Sequence, residues 1–186
     1  MGLFQRLHTD SSIYASDFFL HPPYASGKES VAWAGLISIV KDNPKIQLFF
    51  FDMSDGEGKL SERDSLMFLK IKNQFKLHPS WKMITLSGNF HNRITDETTM
   101  TSYLKRDKEL NISSKICSLN HEYLQGTCRA NFGHGLEEKR FGHPETVYDT
   151  TIPFDKYLVL LPSVFNYQYT GFYYTKYITS SAMTKR

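Results

Sequence analysis

The sequence predicts an α/β fold, a layered and mostly parallel central sheet flanked by helices, and three observations carry that expectation. Helical and extended patterns alternate between residues 28 and 104 in the order helix, strand, helix, strand, helix, with connections of a few residues, as in a sheet of parallel strands joined by crossover helices. The two extended stretches are near-continuous apolar runs rather than alternating ones, the pattern of strands buried on both faces. The 14 Phe and 11 Tyr supply aromatic surface for a packed core, which excludes a disordered chain. A chain of 186 residues is expected to form a single domain, 1–186.

The elements follow in order. Val31, Ala34, Leu36, Ile37 and Val40 give residues 28–41 the character of a buried helix, and Asp42-Asn43-Pro44 stops it, because proline disfavours helical geometry in the residue before it. Residues 45–52, Lys-Ile-Gln-Leu-Phe-Phe-Phe-Asp, read as a buried strand ending in a carboxylate, and residues 54–58 as the loop after it. A second helix is expected from Ser61-Glu-Arg-Asp64, a serine N-cap with an acidic residue three positions on. Along it Met67, Ile71 and Phe75 recur on one face, which leaves Lys70, Lys72 and Lys76 to water, and His78-Pro79 closes it. Residues 82–87 are the next strand and run into Gly88-Asn89-Phe90-His91-Asn92-Arg93.

A third helix is expected to open near Thr95-Asp96 and to carry Met100, Tyr103 and Leu104. Residues 112–119 offer a further strand, and residues 155–161 a late buried one. Residues 120–145, with four Gly, three His and no apolar periodicity, read as a long loop excursion. The tyrosines between 167 and 177 suit half-buried strand or hairpin packing better than an aromatic ligand surface.

Composition narrows the function. With 22 Lys+Arg against 19 Asp+Glu, the net charge of +3 is far from the positive stripe of a nucleic-acid binder, so no nucleic-acid partner is expected. The longest apolar runs fall well short of the roughly 20 residues that span a bilayer, so no transmembrane segment is expected. Residues 1–12 lack the unbroken apolar segment of a signal peptide, which makes the chain as written cytoplasmic, or periplasmic or secreted if an upstream signal peptide has been removed. The two cysteines, Cys117 and Cys128, are expected as free thiols in a reducing compartment and as one possible bridge in an oxidising one. Absence of a Gly-x-Ser-x-Gly elbow, a Walker loop and a Rossmann fingerprint argues against α/β-hydrolase serine enzymes, P-loop NTPases and dinucleotide enzymes.

Ligands of open α/β sheets sit beyond the carboxyl ends of the strands. Asp52 ends one strand and Gly88 to His91 leave the other, while Arg63 and Asp64 open the helix after the Asp52 strand. The expected constellation is therefore Asp52, Arg63, Asp64, Gly88, Asn89, His91, Asn92 and Arg93, with His91 as its centre because it alone among the histidines follows a glycine at a strand exit. Bland roles compete for the others: strand end for Asp52, helix cap for Asp64, turn and surface for Asn92 and Arg93. His8, His78 and His121 sit on polar stretches and read as surface. The Gly133-His134 and Gly142-His143 block, with Glu137 and Glu138 between, matches no zinc spacing and reads as a surface loop.

These residues resemble the haem-binding-uptake/Tiki superfamily, in particular its ChaN-like and erythromycin-esterase-like domains. The resemblance runs from about Trp33 to Leu104 and rests on the Arg63-Asp64 helix start with Met67, followed by Ile84-Thr-Leu-Ser-Gly-Asn-Phe-His91-Asn-Arg93. It implies an α/β fold with a pocket at the strand ends and a small-molecule ligand or substrate. Gly88 and His91 would then form the second of two Gly-x-x-His elements, with Asp52, Arg63 and Asp64 beside the same pocket. Family activities include haem binding, macrolide-ester hydrolysis and metal-dependent proteolysis. The first element, Gly-Glu-x-His, is absent from residues 1–30, so the chain is expected to be either N-terminally truncated or a degenerate member. Three functions follow from the resemblance: a hydrolase using His91, with Asp52 fixing its tautomer or with His91 as a ligand of a divalent metal; a non-enzymatic binder of haem or a similar ligand; or a structural or interaction domain. A homo-oligomer is compatible with each.

Overall fold

The computed structural model describes residues 31–53, 56–131, 136–142, 153–160 and 168–179. Their contacts group into two compact units. One holds residues 31–49, 123–131, 136–142 and 176–179; the other holds residues 50–53, 56–122, 153–160 and 168–175. The described residues combine helices with a small mixed sheet, an α/β composition.

In the first unit, helix α1, Val31–Lys41, buries Ile37 and Val40, one helical turn apart on one face. It ends as expected ahead of Pro44, with the Asp42 amide donating to the Ser38 carbonyl at 2.9 Å. Residues 132–135 aside, the segment expected as a loop excursion carries two strands: β1, Leu119–Asn131, and β2, Leu136–Gly142, pair antiparallel from Gln125↔Gly142 to Asn131↔Leu136. The mixed polar and charged residues of this ladder lack the one-sided apolar alternation that marks a half-buried strand. Gly126 is required there: at φ +152° its Cα lies so close to Ile178 that an added Cβ would stand 2.0 Å from that residue's carbonyl oxygen.

In the second unit, helix α2, Arg63–Leu77, buries Met67 and Ile71, and the short helix α3, Met100–Arg106, buries Met100 and Leu104. The two helices pack together, and Phe68 meets Tyr103 with ring centroids 5.7 Å apart. Each of these buried aliphatic side chains contributes about 1.5–3 kcal/mol of transfer free energy. Helix α2 stops at His78, whose amide donates to the Gln74 carbonyl, and Pro79 follows. Helix α3 starts later than Thr95-Asp96 because Thr99 caps it; the Thr99 Oγ1 accepts from the Ser102 amide and donates to the Arg93 carbonyl at 2.5 Å.

Strand β3, Lys156–Leu160, and strand β4, Gly171–Ile178, pair antiparallel with Tyr157↔Tyr174 and Leu158↔Tyr173 in register. Tyr157 stacks on the buried Tyr174 at 4.6 Å, so the tyrosine-rich segment is strand packing. The whole sheet has the order β2-β1-β4-β3. Contacts between β1 and β4 advance together at an offset of 52 residues: Ser118 bonds Thr170, and His121 stacks on Tyr173. This central pair is therefore parallel, between two antiparallel outer pairs.

Three expected strands differ. Residues 45–52 and 82–87 form no strand ladder among the described residues, and residues 112–119 hold a 3-10 turn, Ser113–Lys115, before β1 begins. Along residues 81–88 burial alternates, with Ile84 90% and Leu86 65% exposed. β-branched and apolar content marks these stretches as strands, whereas ladder pairing depends on a partner that local sequence does not specify.

Candidate functional site

The second unit gathers Asp52, Arg63, Asp64 and the segment from Gly88 to Arg93. Gly88 precedes a 3-10 turn, Asn89–Asn92, which turns His91 back toward the start of α2. Asn92 braces this turn: the Ser87 hydroxyl donates to its Oδ1 at 2.8 Å and its Nδ2 donates to the Ser87 carbonyl at 3.3 Å. Its own carbonyl accepts from the Ser118 hydroxyl. The Asn89 carbonyl accepts from the Tyr169 hydroxyl at 2.9 Å, and the Ile94 amide donates to the Gln168 carbonyl at 2.7 Å. Loop 87–94 is thus fastened by groups that sequence inspection did not nominate: Ser87 within the loop, and Ser118, Gln168 and Tyr169, which are too far away in sequence to be read as its partners.

His91 Nδ1 lies 2.9 and 3.0 Å from the two carboxylate oxygens of Asp64, and both side chains are only 15% exposed. The same Asp64 Oδ1 accepts the Met100 amide at 2.7 Å. One carboxylate therefore joins the first turn of α2, the start of α3 and the histidine. An ionised Asp64 requires the neutral ring to carry its proton on Nδ1, which leaves the Nε2 lone pair available. Among the described residues Nε2 has no hydrogen-bond partner. The edge of Phe90 meets the His91 ring with centroids 5.9 Å apart.

Asp52 has a different role from the one expected. Its carboxylate is held by the Arg63 fork, Nε to Oδ1 at 2.8 Å and an Nη to Oδ2 at 2.6 Å, and by the Met53 amide at 2.7 Å. The Arg63 hydrogen bond is the main reason that the Asp52 pKa lies below the usual carboxylate value; partial burial opposes it, while the Met53 amide and the charges of Arg63 and nearby His91 add to it. The tautomer-fixing carboxylate is Asp64, and Asp52 with Arg63 forms a neighbouring ion pair. The expected Ser61–Asp64 capping box does not form: Glu62 is the N-cap of α2, and the Asp64 carboxylate leaves its own helix for Met100 and His91. A carboxylate at the first turn reads as a cap locally, and only the fold reveals its more distant partners.

Asn89 is exposed and its side chain makes no hydrogen bond among the described residues. Arg93 lies half-buried with its guanidinium carbon 4.9 Å from the Phe90 ring centroid. Cys117 is a free, exposed thiol, and of Cys128 only the backbone is described. His121 lies in β1, where burial lowers its pKa against the opposing charge of Glu122, and its Nε2 is 2.8 Å from the Thr175 hydroxyl. His8, His134 and His143 fall outside the described residues.

The donor set among the described residues does not fit a divalent metal. Both Asp64 oxygens are engaged by His91 and Met100, both Asp52 oxygens by Arg63, and no group of three His, Cys, Asp or Glu side chains converges among the described residues. What remains is a single imidazole nitrogen, enough for one axial bond to a flat ligand but not for a zinc-type centre. No helix among the described residues is long and apolar enough to cross a membrane.

The fold and site define a small α/β protein with a carboxylate-oriented histidine beside a forked ion pair. Comparison with protein-family models, curated proteins and solved structures finds no match for this chain.

Proposed function

We propose that this chain is a hydrolase-like α/β protein of the haem-binding-uptake/Tiki type, in which His91 is the general base. The observation that supports the reading is the Asp64–His91 contact at 2.9 and 3.0 Å, with Nε2 left without a partner among the described residues. In this reading Nε2 takes a proton from water, the resulting hydroxide attacks an ester carbonyl carbon, and the ester C–O bond breaks as the alkoxide recovers the proton from the imidazolium. Asp64 holds the tautomer before the step and stabilises the cation formed during it. The Arg63–Asp52 pair fixes the helix start from which Asp64 projects. Steady-state hydrolysis of a panel of small-molecule esters tests the reading. Turnover by the full chain should fall by about 10²–10⁴-fold in His91→Ala, the range of a lost general base. Turnover unaffected by that substitution removes the role.

A second reading, a binder of haem or a similar flat ligand, uses the same Nε2. A histidine whose other nitrogen donates to a carboxylate is the arrangement that orients ligating imidazoles. Hemin titration should then give a Soret shift that His91→Ala abolishes, and no shift removes this alternative.

A further inference from the structure

The geometry points to a substrate class for this site: a molecule bearing an anionic oxygen group, carboxylate or phosphate, which the Arg93 guanidinium holds while His91 acts beside it. The inference rests on the His91–Asp64 reading above and goes further by assigning the chemistry of the group recognised. Three arginines lie between residues 63 and 106, and two are committed. Arg63 forks onto Asp52, and Arg106 donates to the carbonyls of Ser102 and Glu97. Arg93 has no such commitment. Among the described residues its Nε is buried without an acceptor and no carboxylate forms an ion pair with it.

A buried guanidinium nitrogen without an acceptor forfeits its hydration for nothing in return, so its retention calls for a partner that binds. Asp96 does not supply one. Its Oδ1 is occupied by the Thr98 amide at 3.1 Å and the Thr98 hydroxyl at 2.9 Å, although the Arg93 charge reaches it and adds to the lowering of its pKa. The position of Arg93 is meanwhile well fixed. Its amide donates to the Phe90 carbonyl at 3.2 Å, its carbonyl accepts from Thr99, and its guanidinium stacks over Phe90.

Phe90 links this cation to the base. The same ring lies 4.9 Å from the Arg93 guanidinium carbon and nearly perpendicular to the His91 imidazole at 5.9 Å, so both functional groups adjoin one aromatic side chain. A planar fork of donors suits an oxyanion bound bidentately.

The test compares two 4-nitrophenyl esters, the neutral butyrate and the anionic hemisuccinate, in the wild type, Arg93→Met and Arg93→Lys. The ratio of kcat/KM for the two esters is read within each protein, so it does not depend on the fraction that folds. We expect the wild type to favour the anionic ester at least tenfold, Arg93→Met to bring the ratio close to one, and Arg93→Lys to restore part of it. A wild-type ratio near one, or a preference that survives Arg93→Met, overturns the inference. If the wild type hydrolyses neither ester, the hydrolase reading has failed, and Arg93 is judged by binding alone. Succinate or inorganic phosphate should shift the His91 ring signals of the wild type and not of Arg93→Met. Identical responses, or none in either protein, overturn the inference on its own terms.

Discussion

Helix α2 carries a polar cluster toward each end, and the two clusters differ in what they leave unused. Toward the C-terminal end, Lys72 bonds Asp107 at 2.6 Å and Glu109 at 2.8 Å, Lys76 bonds Glu109 at 2.6 Å, and the second Asp107 oxygen accepts the Leu110 amide. Opposite charges meet throughout, and the lysine that sequence periodicity left to water is tied down instead. The hydrogen bonds that Lys72 donates to Asp107 and Glu109 raise its pKa, and the Lys72 bond lowers that of Asp107. At the N-terminal end, Asp64 consumes one nitrogen of His91 and leaves the other without a partner among the described residues. A closed ion network fastens a turn to a helix, whereas a histidine held on one side only keeps a ring nitrogen in reserve, the feature on which the proposed base role rests. The helix is common to both ends, so the contrast lies in partner geometry rather than in residue type.

The largest expected effect separates the two ends directly. Asp64→Asn keeps an oxygen for the Met100 amide but loses the charge that sets the His91 tautomer, so ester turnover should fall by about 10²–10⁴-fold while the melting temperature moves little. Asp64→Ala adds to that loss a destabilisation of about 1–3 kcal/mol, because the Met100 amide loses its acceptor. Urea melts of the two variants measured beside their kinetics resolve the difference; equal turnover in the wild type and Asp64→Asn would break the comparison.

Lys72→Met should do the reverse: it lowers thermal stability by dissolving the network at the other end and leaves turnover at the wild-type level. A fall in turnover comparable to that of Asp64→Asn would mean that the two ends are not functionally distinct.

The smallest effect is one of pH. Asp52 has a folded pKa below its unfolded value of about 3.9, so the contribution of its pair with Arg63 is complete above that value and is lost as pH falls through the depressed folded value. Because the Asp52 side chain is 53% exposed, solvent screens the pair and the contribution is small. Asp52→Asn should flatten the acid limb of the stability profile, measured as unfolding free energy against pH, below about pH 4. An acid limb as steep as that of the wild type would assign it to other carboxylates, Asp107 first among them.

How much of this was legible in the sequence depends on how far each partner lies along the chain. The helices at 31–41 and 63–77 follow from local signals, the apolar repeat of Met67 and Ile71 and the stops at Pro44 and Pro79. His91 contacts Asp64 and Arg63 contacts Asp52 within the second unit, although residues 45–52 and 82–87 form no strand ladder among the described residues. Their pairing was not legible. Asp64 is separated from His91 by 27 residues and from Met100 by 36, and nothing local distinguishes it from a capping carboxylate. The β1–β2 hairpin stayed hidden for a related reason: its residues lack a one-sided apolar alternation, and a ladder is specified by both strands together.

The central claim is that Asp64 fixes His91 with its proton on Nδ1 and its Nε2 lone pair free. Nitrogen-15 NMR of the imidazole in the full chain, recorded where the ring is neutral, measures this directly. The account predicts a protonated Nδ1 and an unprotonated Nε2 in the wild type, with Asp64→Asn shifting the ring toward the opposite tautomer. A wild-type ring protonated on Nε2, or a tautomer ratio indifferent to Asp64→Asn, would contradict it.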